Sequence, residues 1–228
     1  MTERELLRLH VEAVWGLAVP PLDEPAREFV LTEGQPPWSL YLGAFAQDEV
    51  AIWRPEVAQE QRLLLREQAH QAGVFWERSL GMRREVVFQA PAVSPEHHAL
   101  AGQRGRVLGS DDADLINAFE AESASYFLHP RAVPCVGVVV DGRLVSIAHS
   151  SRQTPSACEL GINTLPEARR RGYAAAAATL WTALVQQRGL VPIYSAFAWN
   201  TASLQLAEAV GYRQRITGVY GPVAEAEE

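Results

Sequence analysis

The sequence predicts an α/β chain of mixed α+β character, with a twisted mixed sheet flanked by helices. Three observations predict it. Strand-like and helix-like runs alternate past residue 105, the pattern of a layered sheet. Asp141-Gly142 stands between two apolar runs, a strong signal for a two-residue hairpin. Five consecutive alanines follow Gly172-Tyr173, and alanine is the best helix former. At 228 residues the chain has material for one large domain or two small ones. Ala90–Gly105, rich in Pro, Gly and His without periodicity, reads as a linker between an N-terminal α/β domain (1–105) and a second domain (106–228).

In the first half, Thr2-Glu3-Arg4-Glu5 is a capping box, and Leu6, Leu9 and Ala13 share one face of the helix it opens. Pro20, Pro21 and Pro25 break the chain. Leu40–Phe45 and Glu49–Trp53 read as strands, the stretch from Pro55 as a helix stopped by Gly73, and Arg84–Gln89 as a strand. In the second half Arg106–Leu108 is a short strand. Ser110 is expected to cap a helix with Asp111 and Asp112 in its first turn. Pro134–Val140 and Arg143–His149 are the hairpin strands, and Ala157–Thr164 is a third strand. The alanine-rich helix, Gly172–Arg188, is closed by Gly189. A strand at Val191–Trp199, a helix at Asn200–Val210 and a last strand at Tyr212–Tyr220 follow.

Composition removes several function classes. The formal charge of −7 argues against nucleic acid as a partner and suits a cationic substrate. All 20 basic residues are arginine, so neither a P-loop lysine nor a Schiff-base lysine is available. Cys135 and Cys158 are the two cysteines, at no metal-ligand spacing, which fits a reducing cytoplasm. The N-terminus, MTERELLRLH, lacks the apolar core of a signal peptide, and no apolar run is long enough to span a membrane. A cytoplasmic protein is therefore expected. His97-His98 has no further ligands at useful spacing, so no metal site is expected.

The stretch Arg169–Ala178, RRRGYAAAAA, carries the chemistry. The first N–H groups of a helix have no partner within it and sit at the positive end of its dipole. Gly172 keeps no side chain in front of them, and three guanidiniums beside them have the fork geometry suited to phosphate. The stretch reads as a phosphate cradle that works without lysine, the bland alternative being a solvated basic turn.

Glu159–Ala174, with Pro166 between strand and cradle, resembles the acetyl-CoA motif of the GNAT superfamily of N-acyltransferases, (Gln/Arg)-x-x-Gly-x-(Gly/Ala) opening a helix. Trp199-Asn200-Thr-Ala-Ser203 to Gly211-Tyr212 is similar to the second GNAT motif, and the order of elements agrees. The resemblance covers roughly Arg106 to Tyr220 and implies a GNAT-like sheet that binds acetyl-CoA as cosubstrate, without a metal. It implies that the pyrophosphate sits on the amides of Arg171, Gly172 and Ala174, within the cradle Arg169, Arg170, Arg171, Gly172, Tyr173 and Ala174. Pantetheine would pair with the backbone of Ile162, Asn163 and Thr164 where the strands Ala157–Thr164 and Val191–Trp199 splay, with Asn200 on the pantetheine arm. Val74–Met82 faintly echoes the second motif, as a degenerate GNAT-like half would. Its spacing is off by one and no cradle precedes it, so ordinary packing of Phe75 and Trp76 is the preferred reading.

The implied reaction is transfer of an acetyl group to a primary amine of a small molecule. Such an amine, with a pKa near ~10.4, is neutral in roughly one molecule in a few thousand at pH 7, so its proton must be taken. Glu159 is the candidate base, through water, and His149 the second candidate. The alternative for Glu159 is a structural pair or a solvent-facing side chain. Two departures from the family pattern stand out. Where many relatives carry a tyrosine to protonate the leaving thiolate, this chain has Ala207, which leaves Ser203 or water to serve. The last helix is followed by room for one strand where relatives often have two, so the missing strand comes from the N-terminal half or from a second subunit in a homodimer. Two other functions compete: a non-catalytic acyl-CoA-binding module, and an acetyltransferase of peptide or protein N-termini.

Overall fold

The structure, a computed structural model, describes residues 1–74 and 81–222; Phe75 and Trp76 lie outside the described residues. Seven α-helices and ten strands occur among the described residues. They gather into two compact units that do not follow sequence order. The first holds Met1–Phe88, Ser195–Leu204 and the chain from Gln214; the second holds Gln89–Tyr194 and Gln205–Arg213.

The first unit begins with α1 (Glu3–Trp15). Thr2 caps it by accepting the Glu5 N–H at 3.1 Å, and Gly16 closes it in the left-handed conformation. Strands β1 (Glu28–Val30), β2 (Leu40–Ala44), β3 (Glu49–Trp53), β4 (Arg83–Gln89) and β10 (Arg213–Gly221) hydrogen-bond in the order β1-β3-β2-β10-β4. β1 and β3 are parallel, whereas β2 is antiparallel to both β3 and β10, so this sheet is mixed. The alternation of side chains along β2 assigns its faces. Leu40 and Leu42 join Ala69 and Ala72 of α2 (Gln59–Val74) in one core cluster. On the other face α1 lies over Gly43, where any Cβ would overlap Leu7. The C-terminal strand is thus completed by the N-terminal half: Thr217↔Ala44 through Gly221↔Leu40 is its register.

A buried arginine fastens the proline-broken segment that follows α1. Nη1 of Arg4 donates to the carbonyls of Leu22 (3.1 Å), Asp23 (3.3 Å) and Ala26 (2.6 Å), and Nη2 donates to Asp48 (2.6 Å). Arg4→Ala leaves these acceptors without their donor. It is expected to lower stability by about 2 kcal/mol, read as a shift in the urea midpoint.

In the second unit, β5 (Gly105–Val107), β6 (Val136–Val140), β7 (Arg143–Gln153) and β8 (Ala157–Thr164) run antiparallel in the order β8-β7-β6-β5. β9 (Val191–Phe197) pairs parallel with β8. The β6–β7 turn has Asp141 and Gly142 both at positive φ, 51° and 76°, as a primed hairpin turn requires. α6 (Tyr173–Gln187) covers one face, where Trp181 donates to Ser150 of β7 at 3.3 Å. α4 (Ala113–Phe119) and α5 (Ala124–Phe127) cover the other, with Ile116, Phe127 and Ile147 in one cluster.

Three expectations are corrected. The segment read as a linker holds a helix, α3 (Pro95–Gly102), capped by Ser94 and opened by Pro95, which packs on α6. Its single buried residue, Ala101, left no apolar stripe to read. Ser110 is not a helix cap: Ser110–Asp112 is a 3₁₀ turn held by the Asp112 carboxylate on the Gly109 N–H, and α4 starts after it. Gly73 does not stop α2, which runs to Val74. Of the two sources held open for a strand beside the last one, the N-terminal half supplies it, as β2 pairs with β10.

Candidate active site

The segment read as a phosphate cradle forms a left-handed turn between a strand and a helix. β8 ends at Thr164, a 3₁₀ turn at Pro166–Ala168 follows, and α6 begins at Tyr173. Arg170 at φ 59° and Gly172 at φ 80° both take the left-handed conformation, and Gly172 is the N-cap of α6 without contributing a side chain. Such a turn directs consecutive N–H groups into one concavity, at the positive end of a 15-residue helix. Arg169, Arg170, Arg171 and Gly172 are exposed, and Tyr173 and Ala174 are half-buried. Arg169 Nε reaches back to the Thr164 carbonyl at 3.4 Å, which ties the turn to the strand end. A Cβ at Gly172 would sit 3.2 Å from Nη1 of Arg104, a cation that no sequence pattern pointed to.

β8 outruns its neighbour. Its parallel pairing with β9 covers Ala157↔Val191 to Glu159↔Ile193, whereas its antiparallel pairing with β7 reaches Ser146↔Thr164. Ile162, Asn163 and Thr164 therefore lie beyond the last β9 pair, on the strand that leads into the cradle. Ile162–Thr164 and Arg169–Ala174 follow one another along the segment from β8 into α6.

Glu159 is buried, and its Oε2 accepts from Arg152 Nη1 at 2.8 Å. It has the structural pair that the sequence reading held as its alternative. His149, on β7 directly opposite Gly161, is also buried. Burial pushes its imidazole down to about 4, so it is neutral at pH 7. As pH falls, an unfolded chain takes up this proton near 6.5, before the folded one does. Stability is therefore intact above pH 6.5 and declines as pH falls toward 4, by roughly 3 kcal/mol over the interval. The urea midpoint of the wild type is expected to drop more between about pH 7.5 and about pH 4.5 than that of His149→Gln.

Asn200 and Ser203 belong to the first unit. Asn200 Oδ1 accepts the Ser203 N–H at 3.2 Å, capping α7 (Thr201–Ala209). Ala207, further along α7, is fully buried. Burial raises the thiols of Cys135, to about 12, and Cys158, so neither is a ready thiolate. Among the described residues, no group of three or more His, Cys, Asp or Glu is placed to hold a metal ion, and no helix is long and apolar enough to cross a membrane.

The family model for GNAT acetyltransferases matches residues 113–217. No curated protein matches the chain. A solved protein described as a GNAT-family acetyltransferase, from Novosphingobium aromaticivorans, is similar at 25% identity and TM-score 0.48. The alignment covers 61% of this chain and 63% of that one. A GNAT-family acetyltransferase from Colwellia psychrerythraea is similar at 13% identity and TM-score 0.49, over 75% of each chain. A GCN5-related N-acetyltransferase-like protein from Streptococcus suis is similar at 16% identity and TM-score 0.46, over 77% of this chain and 73% of that one. The family match takes in both stretches that carry the motif resemblance, and residues 113–217 form a GNAT acetyltransferase domain in the C-terminal half of the chain, which spans less than two thirds of the length of the first of these solved proteins.

Proposed function

We propose that the protein transfers an acetyl group from acetyl-CoA to a primary amine of a small molecule. The observation that carries this reading is the left-handed Gly172 cap of α6, set among Arg169–Arg171 and joined by Arg169 to the end of β8. An anion of pyrophosphate type suits this helix end, where the first N–H groups of α6 have no partner within the helix and a Cβ at 172 would stand 3.2 Å from the Arg104 guanidinium. The backbone of Ile162–Thr164, past the last β9 pair, suits an extended amide-bearing arm that adds to β8 as a strand would. Acetyl-CoA, when bound, supplies the activated acyl carbon; this chain supplies its orientation and the groups that handle the amine proton. Glu159, buried on the same strand, is the proposed base through water. The net charge of −7 favours a cationic acceptor.

A second reading, a module that binds acyl-CoA without turnover, is favoured by one observation: the position of the thiolate-protonating tyrosine is the buried Ala207. Thiol release from acetyl-CoA across a library of amines separates the two. Release with at least one amine supports transfer, and binding without release supports the module. The cradle has its own test. CoA is expected to raise Tm in the wild type. Gly172→Val, a β-branched residue forced to φ 80°, is expected to weaken CoA binding more than tenfold. Gly172→Asn, which tolerates the left-handed conformation, controls for backbone strain alone. Wild-type affinity in Gly172→Val removes the cradle assignment.

A further inference from the structure

Tyr126 of α5 has an exposed ring, and its hydroxyl lies 3.1 Å from Nε2 of His149. The rings of Tyr126 and Phe127 both meet the imidazole edge-on, at centroid distances of 5.3 and 4.8 Å. Gly161 makes the space for it, since a Cβ there would overlap the imidazole. Tyr126 has no role in the reading above, and its partner His149 figures there only as the second candidate base. We propose that the Tyr126 hydroxyl, aimed by His149, receives the acceptor amine at the acyl end of the site; this inference rests on the N-acyltransferase reading.

The position follows from the strand. An arm that starts at the cradle and runs back along β8 meets Thr164, Asn163 and Ile162 first. It reaches Gly161 and Glu159 last, at about 3.3 Å per residue. His149 is the residue across from Gly161. The face follows from alternation. Leu160 pairs with Ser150, which takes the Trp181 bond on the α6 face, so Glu159 and Gly161 point to the α5 face, where Tyr126 stands. The hydroxyl is thus on the side of the sheet that holds the proposed base.

The chemistry follows from the neutral ring. In the tautomer that carries its proton on Nδ1, Nε2 is the acceptor and the phenol O–H is donated inward to His149. The lone pairs of the Tyr126 oxygen are then free to accept a hydrogen bond from an N–H of the acceptor. The exposed ring face adds attraction for a cation. The class of ligand is therefore a primary ammonium. Tyr126 touches the substrate, and His149 is a positioning residue that acts through it.

The experiment measures amine KM and kcat by thiol release, and the CoA-induced Tm shift, for the full chain and three variants. Tyr126→Phe is expected to raise amine KM about tenfold, with kcat within about threefold and the CoA shift unchanged. His149→Leu, which removes the acceptor nitrogen, is expected to match it. His149→Gln, which keeps an acceptor of similar reach, is expected to recover part of the loss. If His149→Leu fails to fold, the exposed Tyr126→Phe decides alone. An unchanged amine KM in Tyr126→Phe overturns the inference while leaving acyl transfer in place, and so does loss of its CoA shift. Absence of thiol release in the wild type overturns both.

Discussion

Removal of residues 1–104 is expected to leave no soluble protein, rather than a smaller working enzyme. The family match starts at residue 113, so a truncation near Gly105 is the natural way to isolate the transferase domain. Both compact units lose necessary parts. In the first, β10 loses β2, its antiparallel partner over Thr217–Gly221, along with the cluster in which Val219 is buried. An unpaired strand with Val219 and Tyr220 uncovered is a template for pairing with other chains. In the second, α6 loses α3, and Gln186 Nε2 loses the Pro91 carbonyl it meets at 2.7 Å. Expression of 105–228 beside the full chain, with the soluble fraction and light scattering measured, checks this. A soluble, monomeric 105–228 with a CoA-dependent Tm would show that the N-terminal residues are an independent appendage.

That dependence was only partly legible in the sequence. The cradle was readable because it is local: Gly172 and its arginines lie within four residues, and the helix that follows announces itself by five alanines. The hairpin at Asp141-Gly142 was readable for the same reason. The partner of β10 was not. Tyr220 pairs with Tyr41 across nearly the whole chain, and no local pattern encodes which strand will meet which. β1 was missed because three residues, half-buried only at Phe29, show no alternation. α3 carried a sound signal in Ser94-Pro95, a cap followed by proline at the first helical position, which the surrounding Pro, Gly and His obscured. Tyr126 sits on a four-residue helix in a segment without periodicity, and only the fold brings it to His149. Residues whose task rests on backbone geometry left a mark in the sequence; those whose task rests on a tertiary contact did not.

Glu159→Gln is expected to lower turnover by about 10²-fold while leaving CoA binding intact, the usual worth of a positioned base. The substitution keeps the shape of the side chain, removes its charge and its capacity to take a proton, and exchanges one acceptor oxygen for an amide donor. The Arg152 contact makes the result decisive. Arg152 is about half exposed, so its guanidinium turns to water when the carboxylate is neutralised, and the stability lost with this pair is small. A fall in kcat without a comparable fall in Tm therefore isolates proton transfer from structure. The opposite pattern, unchanged kcat with a lowered Tm, assigns Glu159 to holding β7 against β8 at the register shift between Ser150 and Arg152, where the two strands would otherwise be free to slip. Arg152→Ala completes the test from the other side. If Glu159 works as a base, this variant retains most of the turnover, because the carboxylate remains on its strand; if the pair is structural, both substitutions lower Tm alike and neither reaches the chemistry.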